Sequence, residues 1–292
     1  MDIISAQLRV KKYFSFIKFS HTVFAMPFAM IGFTLGIASV DNSFSFKTLI
    51  LIILCMVTAR SAAMGFNRFT DRKFDAQNPR TNNREIPSGK ISPRAALTFV
   101  VVNAAFFVLC TYFINNLTFM LSPVALLVIL GYSLTKRFTA LCHLILGLGL
   151  SLAPIGAYIA VTGKFAIVPV VFSFIALTWT SGFDIIYALQ DDEFDRSTNL
   201  YSIPAVVGRK KALLISSVLH FITSCLVVTV GIISQSGVIY WIGALVFSGL
   251  LLYQHLIVKA NDLSKVNVAF GTTNGIASIL FAIFVIVDIL LF

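Results

Sequence analysis

The chain has 292 residues, 58% of them hydrophobic and 12% charged, with a mean hydropathy of +0.92. That is about half the charge density of a soluble domain, and apolar stretches of ~20 residues, enough to cross a ~30 Å hydrocarbon core, recur along it. The composition excludes an ordinary soluble domain, and the formal charge of +10 is distributed in a way that argues against nucleic acid as a partner.

In chain order, hydropathy predicts a bundle of about nine transmembrane helices, an all-α membrane protein in a single domain over residues 1–292. The spans fall near 19–40, 48–66, 95–115, 117–135, 140–162, 166–188, 212–234, 238–257 and 267–291. The N-terminal arm carries Arg9, Lys11, Lys12 and Lys18 before the first span. An apolar run after basic residues is also how a signal peptide begins, but no small-residue cleavage pattern follows, so the run reads as the first helix. Seven Lys or Arg lie between Arg68 and Arg94, then Lys136 and Arg137, then Arg196, Arg209, Lys210 and Lys211, then Lys259 and Lys265. These clusters fall in alternate loops; the intervening loops hold only Lys47 and Lys164, and Arg60 lies within a span. By the positive-inside rule the N-terminus and the basic loops face the cytoplasm. The four cysteines lie in apolar runs without paired spacing, and the four histidines are scattered, so disulfides, zinc and a histidine metal site are not predicted.

The first basic loop opens with GFNRFTDRKFD, in which Asn67, Asp71 and Asp75 are spaced by four. It continues through NPRTNNREIPSGKIS to Pro93, and Pro79, Pro87, Gly89 and Pro93 prevent a single helix. The third basic loop repeats the plan. DIIYALQDDEFD, residues 184–195, holds five of the chain's twelve acidic residues and is followed by a polar stretch with Pro204 and Gly208. On a continuous helix Asp191 and Asp195 share one face, with Asp184 and Tyr187 on the same stripe deeper toward the apolar run. The recurrence suggests an internal duplication. Carboxylates paired in this way suit Mg²⁺, which takes one or two carboxylates, keeps waters and fills its other positions with phosphate oxygens. Two pairs facing each other can hold two Mg²⁺ with a diphosphate between them, and Lys73, Arg80, Arg84, Lys136 and Arg137 can complete a charge clamp. The plainer alternative is a pair of solvated helix ends.

The motifs resemble the intramembrane prenyltransferase family that includes 4-hydroxybenzoate polyprenyltransferase. Its patterns N-x-x-x-D-x-x-x-D, Y-x-x-x-K and D-x-x-Y-x-x-x-D-x-x-x-D match Asn67–Asp71–Asp75, Tyr132–Lys136 and Asp184–Tyr187–Asp191–Asp195 in order. The segments NPRTNNREIPSGKIS and LYSIPAVVG resemble the family's loops, and IKFSHTVFAMPFAM resembles a branch that includes menaquinone-precursor prenyltransferases. One departure is Arg68, where many members carry Asp directly after the motif Asn. The resemblance implies Mg²⁺-dependent transfer of a polyprenyl chain from polyprenyl diphosphate to the ring of an aromatic acid in respiratory quinone biosynthesis. The enzyme would be a multi-pass protein of the inner (plasma) membrane with its site toward the cytoplasm. Asp71 and Asp75 would ligate one metal ion, Asp191 and Asp195 the other, with Asn67 assisting. Lys136 and Arg137 would meet phosphate or the acceptor carboxylate, and Arg68, Arg80, Arg84 and Tyr132 are further candidates for substrate binding. Asp184, Tyr187 and Asp191 are the catalytic candidates, the first two placed to orient the acceptor or shield an allylic cation. The acceptor is 4-hydroxybenzoate-like or, alternatively, a naphthoate. A transporter is the alternative of another class, but transporter sites lie near the bilayer midplane, whereas these acidic groups cluster at helix ends.

Arg60 stands apart. It precedes Asn67 by seven residues and Asp71 by eleven, which returns it to within about 20° of both on a helix and places it roughly 10 Å deeper than Asn67. A guanidinium at that depth faces the bundle interior and has a partner. Either it pairs with Asp184 or with backbone carbonyls as a structural bridge, or it meets the acceptor's carboxylate.

Overall fold

The computed structural model describes Tyr13, residues 15–17, 25–40 and 44–292. The basic arm Arg9, Lys11, Lys12 and Lys18 and the first part of the first predicted span lie outside the described residues, as does most of IKFSHTVF. The described chain is helical apart from loops and an isolated antiparallel bridge between Lys259 and Asp262.

The first helix, α1 (Met26–Ala38), is apolar but short. α2 (Phe46–Thr70) is followed by the six-residue α3 (Arg72–Gln77), then α4 (Pro93–Tyr112), α5 (Asn116–Thr135) and α6 (Cys142–Thr162). α7 (Ile167–Ala188) is followed by α8 (Asp192–Ser197) and α9 (Ile203–Val207), then α10 (Arg209–Ile233) and α11 (Val238–Ile257). A π-helical turn over Val268–Thr273 runs into α12 (Asn274–Leu291). Eight of these segments are long and apolar enough to cross a membrane: α2, α4, α5, α6, α7, α10, α11 and the π turn with α12. The remaining predicted span, the first at 19–40, is represented among the described residues by the shorter α1.

Local chemistry sets the ends. Ser45, Ser92 and Asn115 cap α2, α4 and α5, their side-chain oxygens accepting from the N–H groups of Thr48, Ala95 and Thr118. Each satisfies one donor that the first helical turn leaves unpaired. Gly163, in the left-handed region at φ +66°, ends α6.

Packing places α7 at the centre, against α6 on one side and α10 on the other. α2 packs on α4 and α5, α5 on α6, and α11 between α10 and α12; α1 closes the bundle by packing on α6 and α12. The largest core cluster surrounds Trp179 of α7, with Phe28, Phe183 and Phe247 around its ring. Its indole N–H donates to Asn274 Oδ1 (3.0 Å), which also accepts from Gln254 Nε2 (2.8 Å). In lipid such contacts act through dispersion and hydrogen bonding rather than through expulsion of water, so this knot fixes α7, α11 and α12 together.

The acidic motifs differ from the continuous helical faces expected. α2 runs four residues past its predicted end, so Asn67 lies inside it, and the helix stops at Asp71. α7 stops at Ala188, and residues 189–191 turn before α8 begins at Asp191 as N-cap. Asp184 and Tyr187 therefore stand on one helix and Asp195 on another. The two breaks are alike: an aspartate starts a six-residue helix, and the N–H of the second aspartate donates to the carbonyl of the first at 2.8 Å in both (Asp75 to Asp71, Asp195 to Asp191). Negative side chains in a first helical turn complement the helix dipole, which favours restarting a helix at each acidic cluster.

Candidate active site

Every candidate site residue named from the sequence except Lys73 lines one cavity of ≈ 600 Å³. α2 contributes Arg60, Asn67 and Arg68, with Asp71 at its end. α3 and the loop after it contribute Asp75, Arg80 and Arg84; the end of α5 gives Tyr132, Lys136 and Arg137; and α7 with α8 gives Asp184, Tyr187, Asp191 and Asp195. Lys73, considered as a further cation, is exposed and does not line it.

Asp71, Asp75, Asp191 and Asp195 each have their own cation. Arg137 Nη2 lies 3.3 Å from Asp71 Oδ1, and Arg84 Nη1 lies 2.7 Å from Asp75 Oδ1. Lys136 Nζ lies 2.7 Å from Asp195 Oδ1, and Arg80 forks onto Asp191, with Nε 2.8 Å from Oδ1 and Nη2 on Oδ2. Asn67 donates from Nδ2 to Asp71 Oδ2 (3.1 Å), and Arg80 also donates to the Tyr187 hydroxyl (3.0 Å). The Tyr187 ring is stacked on Phe270. Of the five acidic residues in the second motif, Asp192 and Glu193 turn away from the cavity and pair with Arg209 at 2.7 and 2.9 Å, tying α8 to α10.

Electrostatics separate these groups. Burial, reinforced by the charge of Asp75, pushes the Asp71 carboxyl up to about 6 despite Arg137. Burial works in the same direction on Asp191, but the hydrogen bonds and charge of Arg80 overcome it and hold this carboxyl below its usual range. Burial opposes charge on Lys136, yet the Asp195 carboxylate keeps the ammonium above its usual range.

Several polar atoms in the cavity are unmatched. Asp75 Oδ2, Arg60 Nε, and Nε and Nη1 of Arg68 are buried without a hydrogen-bond partner. Arg60 makes no ion pair among the described residues, because Asp184 is taken by His143 (Nδ1 to Oδ2, 2.7 Å). The bridge from Arg60 to Asp184 offered as one reading of the sequence is therefore not formed. A buried carboxylate oxygen without a partner, within an all-oxygen donor set, fits a hard divalent cation. Among the described residues no three acidic, His or Cys side chains converge as a ready-made metal cage. An ion here would take one or two carboxylates and complete its shell with water and substrate oxygens.

Below the charged layer the space continues as an apolar cavity of ≈ 320 Å³ among α2, α5 and α6. Arg60, Met64, Tyr132, Leu146 and Leu150 line both, so the two spaces meet at Arg60 and Tyr132.

The sequence profile of the UbiA prenyltransferase family matches residues 25–284. The chain belongs to this family. It is 31% identical over 241 residues to 4-hydroxybenzoate octaprenyltransferase of Aliivibrio fischeri, covering 82% of this chain and 84% of that one. To the enzyme of the same name from Vibrio parahaemolyticus it is 33% identical over 196 residues, 67% and 69% of the two chains. A UbiA homologue from Aeropyrum pernix superposes with a TM-score of 0.82 at 29% identity, covering 92% of this chain and 98% of that one. A homologue from Archaeoglobus fulgidus, solved with DMAPP and Mg²⁺, gives 0.72 at 22% identity, with 96% and 100% covered, a likeness of fold. The chain is thus a membrane prenyltransferase, which decides between the enzyme and transporter readings.

Four residues that hold cavity side chains in place were not singled out in the sequence. Asn78 donates to Asp191 Oδ1 (3.0 Å), Ser202 donates to Asp195 Oδ2 (2.7 Å), Phe270 stacks on Tyr187, and His143 holds Asp184. Asn78 and Ser202 follow their acidic motifs in the polar loops. His143 and Phe270 carry no local signal, since each meets its partner only across the bundle.

Proposed function

We propose that this chain transfers a polyprenyl group from its diphosphate to the ring of a 4-hydroxybenzoate-like aromatic acid, at the cytoplasmic face of the inner (plasma) membrane. One observation carries the reading: four carboxylates, each paired with its own cation, ring a cavity that continues into an apolar space. The names of the relatives and the ligands of the Archaeoglobus fulgidus homologue support it. The basic loops at the same end of the bundle as the acidic motifs support the cytoplasmic orientation.

Asp71 and Asp75 would hold one Mg²⁺ and Asp191 and Asp195 a second, with Asn67 fixing Asp71. When bound, these ions neutralise the diphosphate and stabilise it as a leaving group. Arg80, Arg84, Lys136 and Arg137 are preorganised counter-charges: on substrate entry each exchanges its aspartate for a phosphate oxygen, so no charge is left uncompensated. Arg68, with two donor atoms unsatisfied, adds a fixed positive charge beside them. The donor's C1–O bond breaks with its electron pair leaving on diphosphate. A ring electron pair of the acceptor then forms the new C–C bond ortho to the hydroxyl. The C–H pair at that carbon returns to the ring, and its proton passes to Asp184, the cavity aspartate without a Lys or Arg partner among the described residues. Tyr187 and Phe270 present ring faces that shield the allylic cation from water, and Arg60 receives the acceptor carboxylate, for which a guanidinium fork is suited.

The test is the mass of the lipid product formed by purified protein from octaprenyl diphosphate and Mg²⁺ with 4-hydroxybenzoate or a hydroxynaphthoate. The reading predicts a C-prenylated aromatic acid with release of diphosphate, lost in Asp191→Asn. If only the naphthoate reacts, the acceptor class is corrected; if neither does, the acceptor assignment fails.

A further inference from the structure

His143 is the first turn of α6, outside every motif that carries the metal and diphosphate chemistry, and it is 3% exposed. Its two ring nitrogens are both engaged. The backbone N–H of Ile203, at the start of α9, points at Nε2 from 3.2 Å. An amide N–H can only donate, so Nε2 must accept, and the ring proton resides on Nδ1. Nδ1–H then donates to Asp184 Oδ2 at 2.7 Å. While the Ile203 bond persists Nε2 carries no proton, and the proton on Nδ1 cannot be relayed through the far nitrogen.

The surroundings make this arrangement rigid. One turn on from His143, Gly147 lets α6 approach α7 so closely that a Cβ there would lie 2.3 Å from Ser181 Oγ and 2.6 Å from the Leu177 carbonyl oxygen. Ile203 follows Ser202, whose hydroxyl donates to Asp195. The chain after the second acidic motif therefore holds Asp195 with one residue and His143 with the next. Asp184, whose side chain is 21% exposed, has Oδ2 anchored, and no hydrogen bond among the described residues engages Oδ1.

We infer that His143 is a positioning residue for the transfer reaction: it anchors one oxygen of Asp184, presents the other to the acceptor as a hydrogen-bond and proton acceptor, and couples it to the loop that holds Asp195. The inference rests on the role of Asp184 given above. An Nδ1–H donor whose far nitrogen is engaged by Ile203 fixes the orientation of the Asp184 carboxyl, the arrangement by which a neighbouring group orients a general base.

The test uses full-length protein in detergent, with geranyl diphosphate, Mg²⁺ and whichever of 4-hydroxybenzoate or a hydroxynaphthoate the wild type turns over. The acceptor is supplied with hydrogen or deuterium at the reacting ring carbon. His143→Gln can donate to Asp184 through its amide N–H and accept from Ile203 through its carbonyl; His143→Asn presents the same groups on a side chain one methylene shorter. Gln is expected to keep turnover within about threefold and Asn to lose about a hundredfold in kcat, the scale of a displaced catalytic group. The donor KM stays put in both, and a deuterium isotope effect absent in the wild type appears in the Asn variant as proton loss becomes slow. Full turnover in Asn, or equal losses in Gln and Asn without an isotope effect, would overturn the positioning role. Asp184→Asn separates the two layers: if it turns over normally, the role of Asp184 itself is wrong; if it fails while both His143 variants work, only the His143 inference falls.

Discussion

Arg60 brings its charge into α2 without an ion pair among the described residues and with Nε buried and unpartnered. A cation left so costs stability unless a ligand completes it, and it stands where the charged cavity meets the apolar one. Arg60→Lys keeps the charge but loses the fork. The acceptor KM is expected to rise about tenfold or more, by the loss of a charge-assisted hydrogen bond, with the donor KM and melting temperature unchanged. A lower melting temperature with both KM values unchanged would make Arg60 structural. Asp71, pushed up to about 6, predicts a pH dependence. Below that value its carboxyl holds a proton that Mg²⁺ must displace, so the Mg²⁺ needed for half-maximal turnover rises about tenfold per pH unit, levelling off above it. In the metal-free protein the linkage runs the other way. The folded carboxyl binds its proton more tightly than the unfolded one, so its stabilisation is present at low pH and lost as pH rises through about 6. A Mg²⁺ requirement that is flat between pH 5 and 7 would remove Asp71 from metal binding. At this scale the sequence was informative where a residue was costly in its setting. An Asp or Arg beside an apolar run stands out in a chain with 12% charge, and every such candidate nominated lines the cavity. His143 did not stand out, because a lone histidine in an apolar run shows neither its tautomer nor the partner it meets across two helices.

Among elements, the spans were legible because lipid demands continuous apolar runs, and predicted and observed ends agree within a few residues for the eight long segments. The breaks at Asp71 and Asp191 were not, since a four-residue spacing fits a continuous helix and a restarted one equally well. What distinguishes them is tertiary: Arg137 donates to the Thr70 carbonyl, and Arg80 reaches across from the loop to Asp191. A second tertiary device lies at the opposite end of the bundle, where Asp288 of α12 is 3% exposed. Its carboxylate accepts from the N–H groups of Gly237 and Tyr240 at 2.9 and 3.0 Å, serving α11 as a cap supplied from another helix. Asp288→Ala is expected to cost about 2 kcal/mol, since one buried and one half-buried backbone donor lose their acceptor. It should lower the melting temperature while leaving both KM values as they are. An unchanged melting temperature would show that water or another group takes over the cap.

At the level of the whole molecule, the two acidic motifs have the same local build, long helix, break at Asp and six-residue helix, and they face each other across one cavity, consistent with the duplication read from the sequence. That places charge recognition at one end of the bundle and apolar volume beneath it, the division a diphosphate with a long hydrocarbon tail requires. In the proposed function the four aspartates and their four cations form a switchable clamp, closed on itself without substrate and opened by a metal-bound diphosphate. The direct measurement is calorimetric binding of geranyl S-thiolodiphosphate, a donor analogue slow to ionise, to the purified protein with Mg²⁺ and with EDTA. Wild-type protein is expected to bind only with Mg²⁺, Asp71→Asn and Asp191→Asn to bind at least about tenfold more weakly, as for loss of one charged ligand, and Arg80→Ala to weaken binding while retaining the metal requirement. Equal affinity in EDTA, or unchanged affinity in both aspartate variants, would contradict the account.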